Sequence, residues 1–146
     1  VIIRNLIKDL EVSNCVEIYT DGAYSQSKQK GGYSFVVIEN GELTAFFTKP
    51  IEQSTNQRAE MLALISAFRY VKNNKLKCQI FSDSMYCIGT LTSNWQKNAN
   101  NDLWEVLEPL YNEVKSLIKL THIRGHKGIY GNEMADVCAV MAGGYL

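Results

Sequence analysis

Tyr33-Ser-Phe-Val-Val-Ile-Glu-Asn40-Gly41-Glu-Leu-Thr-Ala-Phe-Phe-Thr48 reads as two β-strands folded about a two-residue turn. Asn and Gly both tolerate positive φ, and Asn-Gly between apolar runs is the strongest short hairpin signal a sequence offers. The strands are Tyr33 to Ile38 and Leu43 to Thr48. Upstream, Cys15-Val-Glu-Ile-Tyr-Thr20 is rich in strand formers and stops at Asp21-Gly22, itself a turn signal. Ser25 to Gly32 is a polar loop between that strand and the hairpin. These three strands predict an antiparallel meander.

Downstream the period changes. Pro50 to Thr55 breaks the strand pattern, and from Asn56 to Val71 apolar residues fall at Met61, Leu62, Leu64, Ile65, Phe68 and Val71. That spacing places them on one face of a helix. Ser54, Thr55 and Asn56 are all good caps for it, and Asn73-Asn74 ends it. Leu76 to Ser82 reads as a fourth strand, with a helix from near Ser84 and another from Leu103 to Leu117. Ile118 to Arg124 is a fifth strand. Gly125 to Gly131 is a glycine-punctuated loop, and Asn132 is the expected cap of a last helix running to Met141.

The order β-β-β-α-β-α-α-β-α predicts an α/β domain. Strand–helix–strand crossovers make parallel neighbours, so the sheet should be mixed and five-stranded, three strands antiparallel and then two parallel, with helices on both faces. Residues 15–146 form the expected domain, without repeats or an inner linker. Residues 1–14 read as an extension in which Ile2, Ile3, Leu6, Ile7 and Leu10 recur at the spacing of a short helix. Packing against the domain is the preferred role for it, and docking to a partner is the other.

Bulk properties narrow the function. Lys+Arg and Asp+Glu balance at 15 each in 146 residues, so the chain as a whole does not announce a polyanion partner, and any grip on nucleic acid must come from local placement. No run of about 18 apolar residues exists to span a membrane, and the first residues lack signal-peptide features. Cys15, Cys78, Cys87 and Cys138 form no CxxC pair. They read as reduced thiols of a cytoplasmic protein, and zinc is disfavoured because their spacing to His122 and His126 is wrong.

Acidic residues fall where ligands collect. Asp21 and Asp83 close strands expected to be parallel neighbours, and open α/β sheets bind at the carboxyl ends of strands. Two carboxylates there repel each other unless something cationic lies between them. Glu60 and Asp136 sit in the first turns of helices, where negative charge is favourable. Each alone has an ordinary explanation as a turn, a cap or a dipole charge; the four together do not.

The surroundings of these residues carry a resemblance. Ile18-Tyr-Thr-Asp-Gly-Ala23, Thr55-Asn-Gln-Arg-Ala-Glu60, Ser82-Asp-Ser-Met-Tyr86 and Arg124-Gly-His-Lys-Gly128, followed by Gly131-Asn-Glu-Met-Ala-Asp136, resemble the motifs of the type 1 ribonuclease H family, in the right order and on the right elements. The resemblance implies a ribonuclease H-like fold and an endoribonuclease that cuts the RNA strand of an RNA–DNA hybrid, leaving 5′-phosphate and 3′-hydroxyl ends. It assigns Asp21, Glu60, Asp83 and Asp136 as ligands of two Mg²⁺ ions, with Mn²⁺ as a substitute; clustered carboxylates suit such hard cations. Asp21 would bridge the ions, Asp136 would help hold the one that activates water, and Glu60 and Asp83 the one on the leaving-group side. Glu60 would also approach the ribose 2′-hydroxyl. His126 matches a loop histidine that assists proton transfer or product release, whereas His122 is read as core or edge and given no role. Gly22, Thr55, Asn56, Gln57 and Asn100 are the implied substrate-binding residues: Asn56 and Gln57 at base edges in the minor groove, Thr55 and Asn100 around a phosphate of the DNA strand. Asn100 has a second reading as the cap of the following helix.

The sequence also departs from the family pattern. Longer members carry a basic, Trp-bearing protrusion where this chain has only Thr90-Leu-Thr-Ser-Asn-Trp-Gln-Lys-Asn-Ala99, with the single basic residue Lys97. Phosphate neutralisation dominates affinity for nucleic acid, so modest binding with a shallow salt dependence is expected. Trp95 stacks on a sugar or joins the core; both readings stand. Ser25 to Lys30 replaces a usual Asn-Pro-Gly-type turn, with Lys28 and Lys30 as substitute phosphate contacts, and Met85 stands where many members have Gln. The partners expected are a hybrid and no membrane, for a monomer or for one domain of a reverse-transcriptase-like polyprotein. The alternative function is a catalytically silent binding module of the same fold.

Overall fold

The structure, a computed structural model, describes residues 16–124 and 128–144. The extension read from residues 1–14, Cys15 and His126 lie outside the described residues. The elements are β1 (Val16–Ser25), β2 (Lys30–Glu39), β3 (Glu42–Glu52), α1 (Asn56–Asn74), β4 (Cys78–Ser82), α2 (Met85–Ser93), α3 (Asn101–Val114), β5 (Ile118–His122) and α4 (Tyr130–Gly143). The sheet order is β3-β2-β1-β4-β5. The first three strands pair antiparallel, and β4 pairs parallel with both β1 and β5, as the sequence predicts.

Strand alternation sorts the core into two layers. Val16, Ile18, Phe35, Val37 and Ile80 point to one face, where they meet Met61, Leu64 and Phe68 of α1 and Leu107 of α3. Fully burying one such side chain contributes about 1.5–3 kcal/mol. Tyr19, Val36 and Ile38 point to the other face and pack against Ala135 of α4. One face thus carries α1, α2 and α3, and the other α4.

Four local expectations are corrected. β1 does not stop at Asp21-Gly22. It continues to Ser25 because β2 supplies a partner for every residue, Asp21 facing Ser34 and Gly22 facing Tyr33. β3 likewise continues through Pro50, which pairs opposite Gly32. Its other edge has no strand partner among the described residues, so a missing N–H is tolerated there. α3 begins at Asn101 rather than Leu103, and Asn100 makes no side-chain capping bond. α4 begins at Tyr130, two residues before its expected cap, with Asn132 buried in its first turn. Its start is secured instead by Glu133, whose Oε1 accepts the Gly128 N–H at 2.8 Å.

Candidate active site

β1 and β4 run side by side to the same rim. Their ladder pairs Val16–Tyr19 with Cys78–Phe81. One residue on, the Thr20 hydroxyl donates to the Phe81 carbonyl at 3.2 Å. The strands therefore stay joined as they reach Asp21 and Asp83. α1 brings Glu60 to the same point. Gly22 lets it come close: a Cβ there would collide with the Ala59 carbonyl carbon and the Glu60 amide. The Gly22 N–H donates to Glu60 Oε1.

The outcome is three carboxylates with one oxygen each inside a span of 4.8 Å. Asp21 is buried, and Glu60 and Asp83 are half-buried. Glu60 Oε2 is shielded from solvent and has no hydrogen-bond partner among the described residues. A buried charged oxygen left unpaired is costly. The carboxyls respond as crowded acids do. Burial, with the charges of Asp83 and Asp136 added to it, pushes Asp21 up to about 8, although its contact with Glu60 acts the other way. Burial first, then the facing Asp83 and Asp21, pushes Glu60 well above the usual carboxylate range. An oxygen without a partner amid repelling acids fits a divalent cation, which supplies the missing partner and the missing charge.

Asp136 approaches Asp21 from the opposite face, on α4. It stands outside the three-carboxylate group yet close enough to raise Asp21 by hydrogen bonding and by charge. Asp21 is thus the carboxyl that meets both the three-carboxylate group and Asp136. Three contacts seat α4 for this. The buried Ser34 hydroxyl donates to the Ala135 carbonyl at 2.5 Å. Gly131 lies against the Tyr19 ring, and Gly32 against the Ala139 carbonyl, each too tightly to admit a Cβ. Tyr19 is held in turn by stacking on Phe81 at 4.5 Å.

The expected substrate residues form a second cluster along the start of α1. Thr55 caps that helix, accepting the Arg58 N–H at 3.1 Å. Asn56 Oδ1 accepts the Tyr24 N–H at 2.8 Å, latching the helix to the end of β1. Gln57 is exposed. Asn100 reaches the group through Arg58, whose Nη1 donates to Asn100 Oδ1 at 3.3 Å. Its Nδ2 donates to the Tyr86 hydroxyl at 3.4 Å, and Trp104 Nε1 donates to that hydroxyl at 2.9 Å. Arg58 also grips Asp102 with two bonds, at 3.0 and 2.7 Å, which hold the Asp102 carboxyl down at about 2. The sequence reading missed Arg58, Asp102, Tyr86 and Ser34. Only Arg58 carried a signal, three residues beyond Thr55.

Three further expectations have structural answers. Trp95 lies over Gly89 and is 46% exposed, so it is neither core nor a free ring. Lys97, the one basic residue of the short stretch, is paired with Glu108 at 2.7 Å. His122 is half-buried on the edge strand β5, with Nε2 3.2 Å from the Asp83 carbonyl oxygen.

A family model described as RNase H matches residues 13–143. A ribonuclease H of Syntrophomonas wolfei is 34% identical over 136 residues, covering 84% of this chain and 91% of that protein. A ribonuclease H of Rippkaea orientalis is 34% identical over 146 residues, covering 87% and 84%. Among solved structures, RNase H1 from Halobacterium salinarum superposes with a TM-score of 0.70 at 25% identity, covering 87% of this chain and 96% of that one. LC11-RNase H1 in complex with an RNA/DNA hybrid superposes at 0.72 and 19% identity, covering 88% and 96%, and shares the fold.

Proposed function

Because the chain belongs to the ribonuclease H family, we propose that it is a metal-dependent endonuclease hydrolysing the RNA strand of RNA–DNA hybrids, with 5′-phosphate and 3′-hydroxyl products. The observation that carries this reading is the carboxylate group itself: Asp21, Glu60 and Asp83 within 4.8 Å, with one buried oxygen lacking a partner. The hybrid is also what the LC11 relative of the same fold holds.

Asp21, Glu60 and Asp83 would hold one Mg²⁺, and Asp21 with Asp136 a second, Mn²⁺ being able to substitute. Once bound, such ions would supply the activation of a water and the neutralisation of charge on the leaving 3′ oxygen. The chain's own residues prepare the site. The Gly22 N–H fixes one Glu60 oxygen and leaves the other, buried, without a partner. Glu60 is also the carboxylate to meet the ribose 2′-hydroxyl, the group that distinguishes RNA from DNA. His126, outside the described residues, takes the assisting proton-transfer role. Thr55 and Asn100 grip a phosphate of the DNA strand, and Arg58, its charge paired with Asp102, ties the two together. Asn56 and Gln57 face base edges. A cytoplasmic setting suits Cys87 and Cys138, which are free thiols. Among the described residues no helix is long and apolar enough to cross a membrane.

The test is cleavage of labelled RNA–DNA hybrid, duplex DNA and duplex RNA in Mg²⁺, Mn²⁺ or EDTA. Metal-dependent cuts confined to the RNA strand of the hybrid are expected. An intact hybrid under every metal condition refutes the proposal.

A further inference from the structure

The two faces of the sheet are unequally covered. Three helices lie on one, while among the described residues α4 alone lies on the other. Beside α4 this leaves an open groove of about 420 Å³, lined by Leu43, Phe46 and Thr48 of β3 and by Met134, Cys138 and Met141 of α4. Phe46 is 64% exposed and Met141 62%. Two large apolar side chains beside one apolar groove mark a surface that something covers.

We propose that the groove is the seat of the chain's own N-terminal segment. On a helical wheel Ile2, Ile3, Leu6, Ile7 and Leu10 fall within an arc of about 140°, and Arg4, Asn5, Lys8, Asp9 and Glu11 fall outside it. The dimensions agree. A helix from residue 2 to 10 is about 14 Å long. The β3 wall from Leu43 to Thr48 spans about 17 Å, and the α4 wall from Met134 to Met141 about 11 Å. The point of entry agrees too. β1 begins at Val16, which pairs with Glu39, which pairs with Glu42. The Leu43 end of the groove is thus two strand spacings, about 10 Å, from where the segment joins the sheet. Residues 11–15, extended, reach about 16 Å, enough to cross β2 and deliver the stripe. Once there it would cover Phe46 and Met141, leaving Arg4 and Lys8 in solvent.

Cys138 in the groove wall makes this testable by disulfide trapping. In a Cys15→Ser background, Ile3→Cys, Leu6→Cys and Leu10→Cys are oxidised separately in dilute solution and mapped by peptide mass spectrometry. Asp9→Cys, outside the apolar arc, is the control. A disulfide needs Cα atoms about 4.4–6.8 Å apart. At least one of the three is therefore expected to bridge to Cys138 within one molecule, about tenfold faster than Asp9→Cys. No bridge from any of them, or equal rates from the control, overturns the proposal. Bridges formed only between molecules overturn it in favour of a second copy of the chain in the groove.

Discussion

Asp21→Asn separates what the carboxylate group costs from what it does. Without metal, burial and the charges of Asp83 and Asp136 hold Asp21 up at about 8, while an aspartate in the unfolded chain titrates near ~3.9. The folded protein therefore binds this proton more tightly than the unfolded chain. The stability it confers is complete below about pH 4, falls as pH rises, and is lost once pH passes the folded value of about 8. From pH 4 to pH 7 the loss is about three pH steps at ~1.4 kcal/mol each, on the order of 4 kcal/mol. Asparagine keeps the shape and does not titrate. In EDTA, Asp21→Asn should melt within a degree or two of the natural protein at pH 4 and roughly 10 °C above it at pH 8. Saturating Mg²⁺ should close the gap, because binding to the folded state stabilises by mass action and the variant has lost the shared ligand. Hybrid cleavage should vanish in the variant at every pH. Calorimetric scans at pH 4, 6 and 8, with and without Mg²⁺, read all of this. A gap that stays constant with pH, or equal stabilisation of both proteins by Mg²⁺, refutes the claim that repulsion at Asp21 is what the metal relieves.

The apparent Mg²⁺ affinity should rise with pH through about 8, because the raised Asp21 and Glu60 must lose protons to bind; titration calorimetry at pH 7 in two buffers of different ionisation heat should register proton release. Gly22→Ala should cost on the order of 3 kcal/mol by urea denaturation and lower hybrid cleavage at least ~10²-fold, since its Cβ meets the α1 backbone rather than a yielding side chain. Ser34→Ala should cost about 1–2 kcal/mol and lower kcat with little change in KM, because the hydroxyl seats α4 without facing substrate; a raised KM with unchanged kcat would contradict that role. Hybrid affinity, measured by anisotropy on a non-cleavable duplex, should fall with log salt at a slope no steeper than about −3, the value for some three neutralised phosphates, since Lys97 is engaged by Glu108.

The hairpin at Asn40-Gly41 and the helix at Asn56–Asn74 were legible because local rules govern them: a turn type needing positive φ, and a stripe at period 3.6. The convergence of Asp21, Glu60 and Asp83 was legible through their flanking motifs. What escaped was decided by partners distant in sequence. Asp-Gly is a turn signal in isolation, and only the ladder to Ser34 and Tyr33 keeps β1 straight through Asp21-Gly22. Pro50 ends a central strand but not an edge strand, and which strand lies at the edge is a property of the whole sheet. Arg58 and Asp102 lie 44 residues apart, and Ser34 and Ala135 are 101 apart. No periodicity joins such residues, so nothing local marked these pairings. The start of α4 was misplaced because Asn132 is a good cap by type, while the bond that secures the start comes from Glu133 reaching back to Gly128.

The correction at β1 bears directly on the chemistry. An aspartate in a turn could swing away from its neighbours and shed their repulsion. Asp21 cannot, since it lies within a strand paired along its length with β2 and joined to β4 just before it. Glu60 is equally fixed, on a helix whose Met61, Leu64 and Phe68 are fully buried. Asp136 follows Ala135, which is buried in the second core layer and bonded through its carbonyl to Ser34. Each acid is anchored by a different part of the core, and moving any of them apart would open packing worth several kcal/mol. The charges therefore stay crowded, and the cheapest relief is a proton or a cation. Under the proposed function, the division of the core into two layers that meet at Asp21 is what would give the site its affinity for a divalent cation.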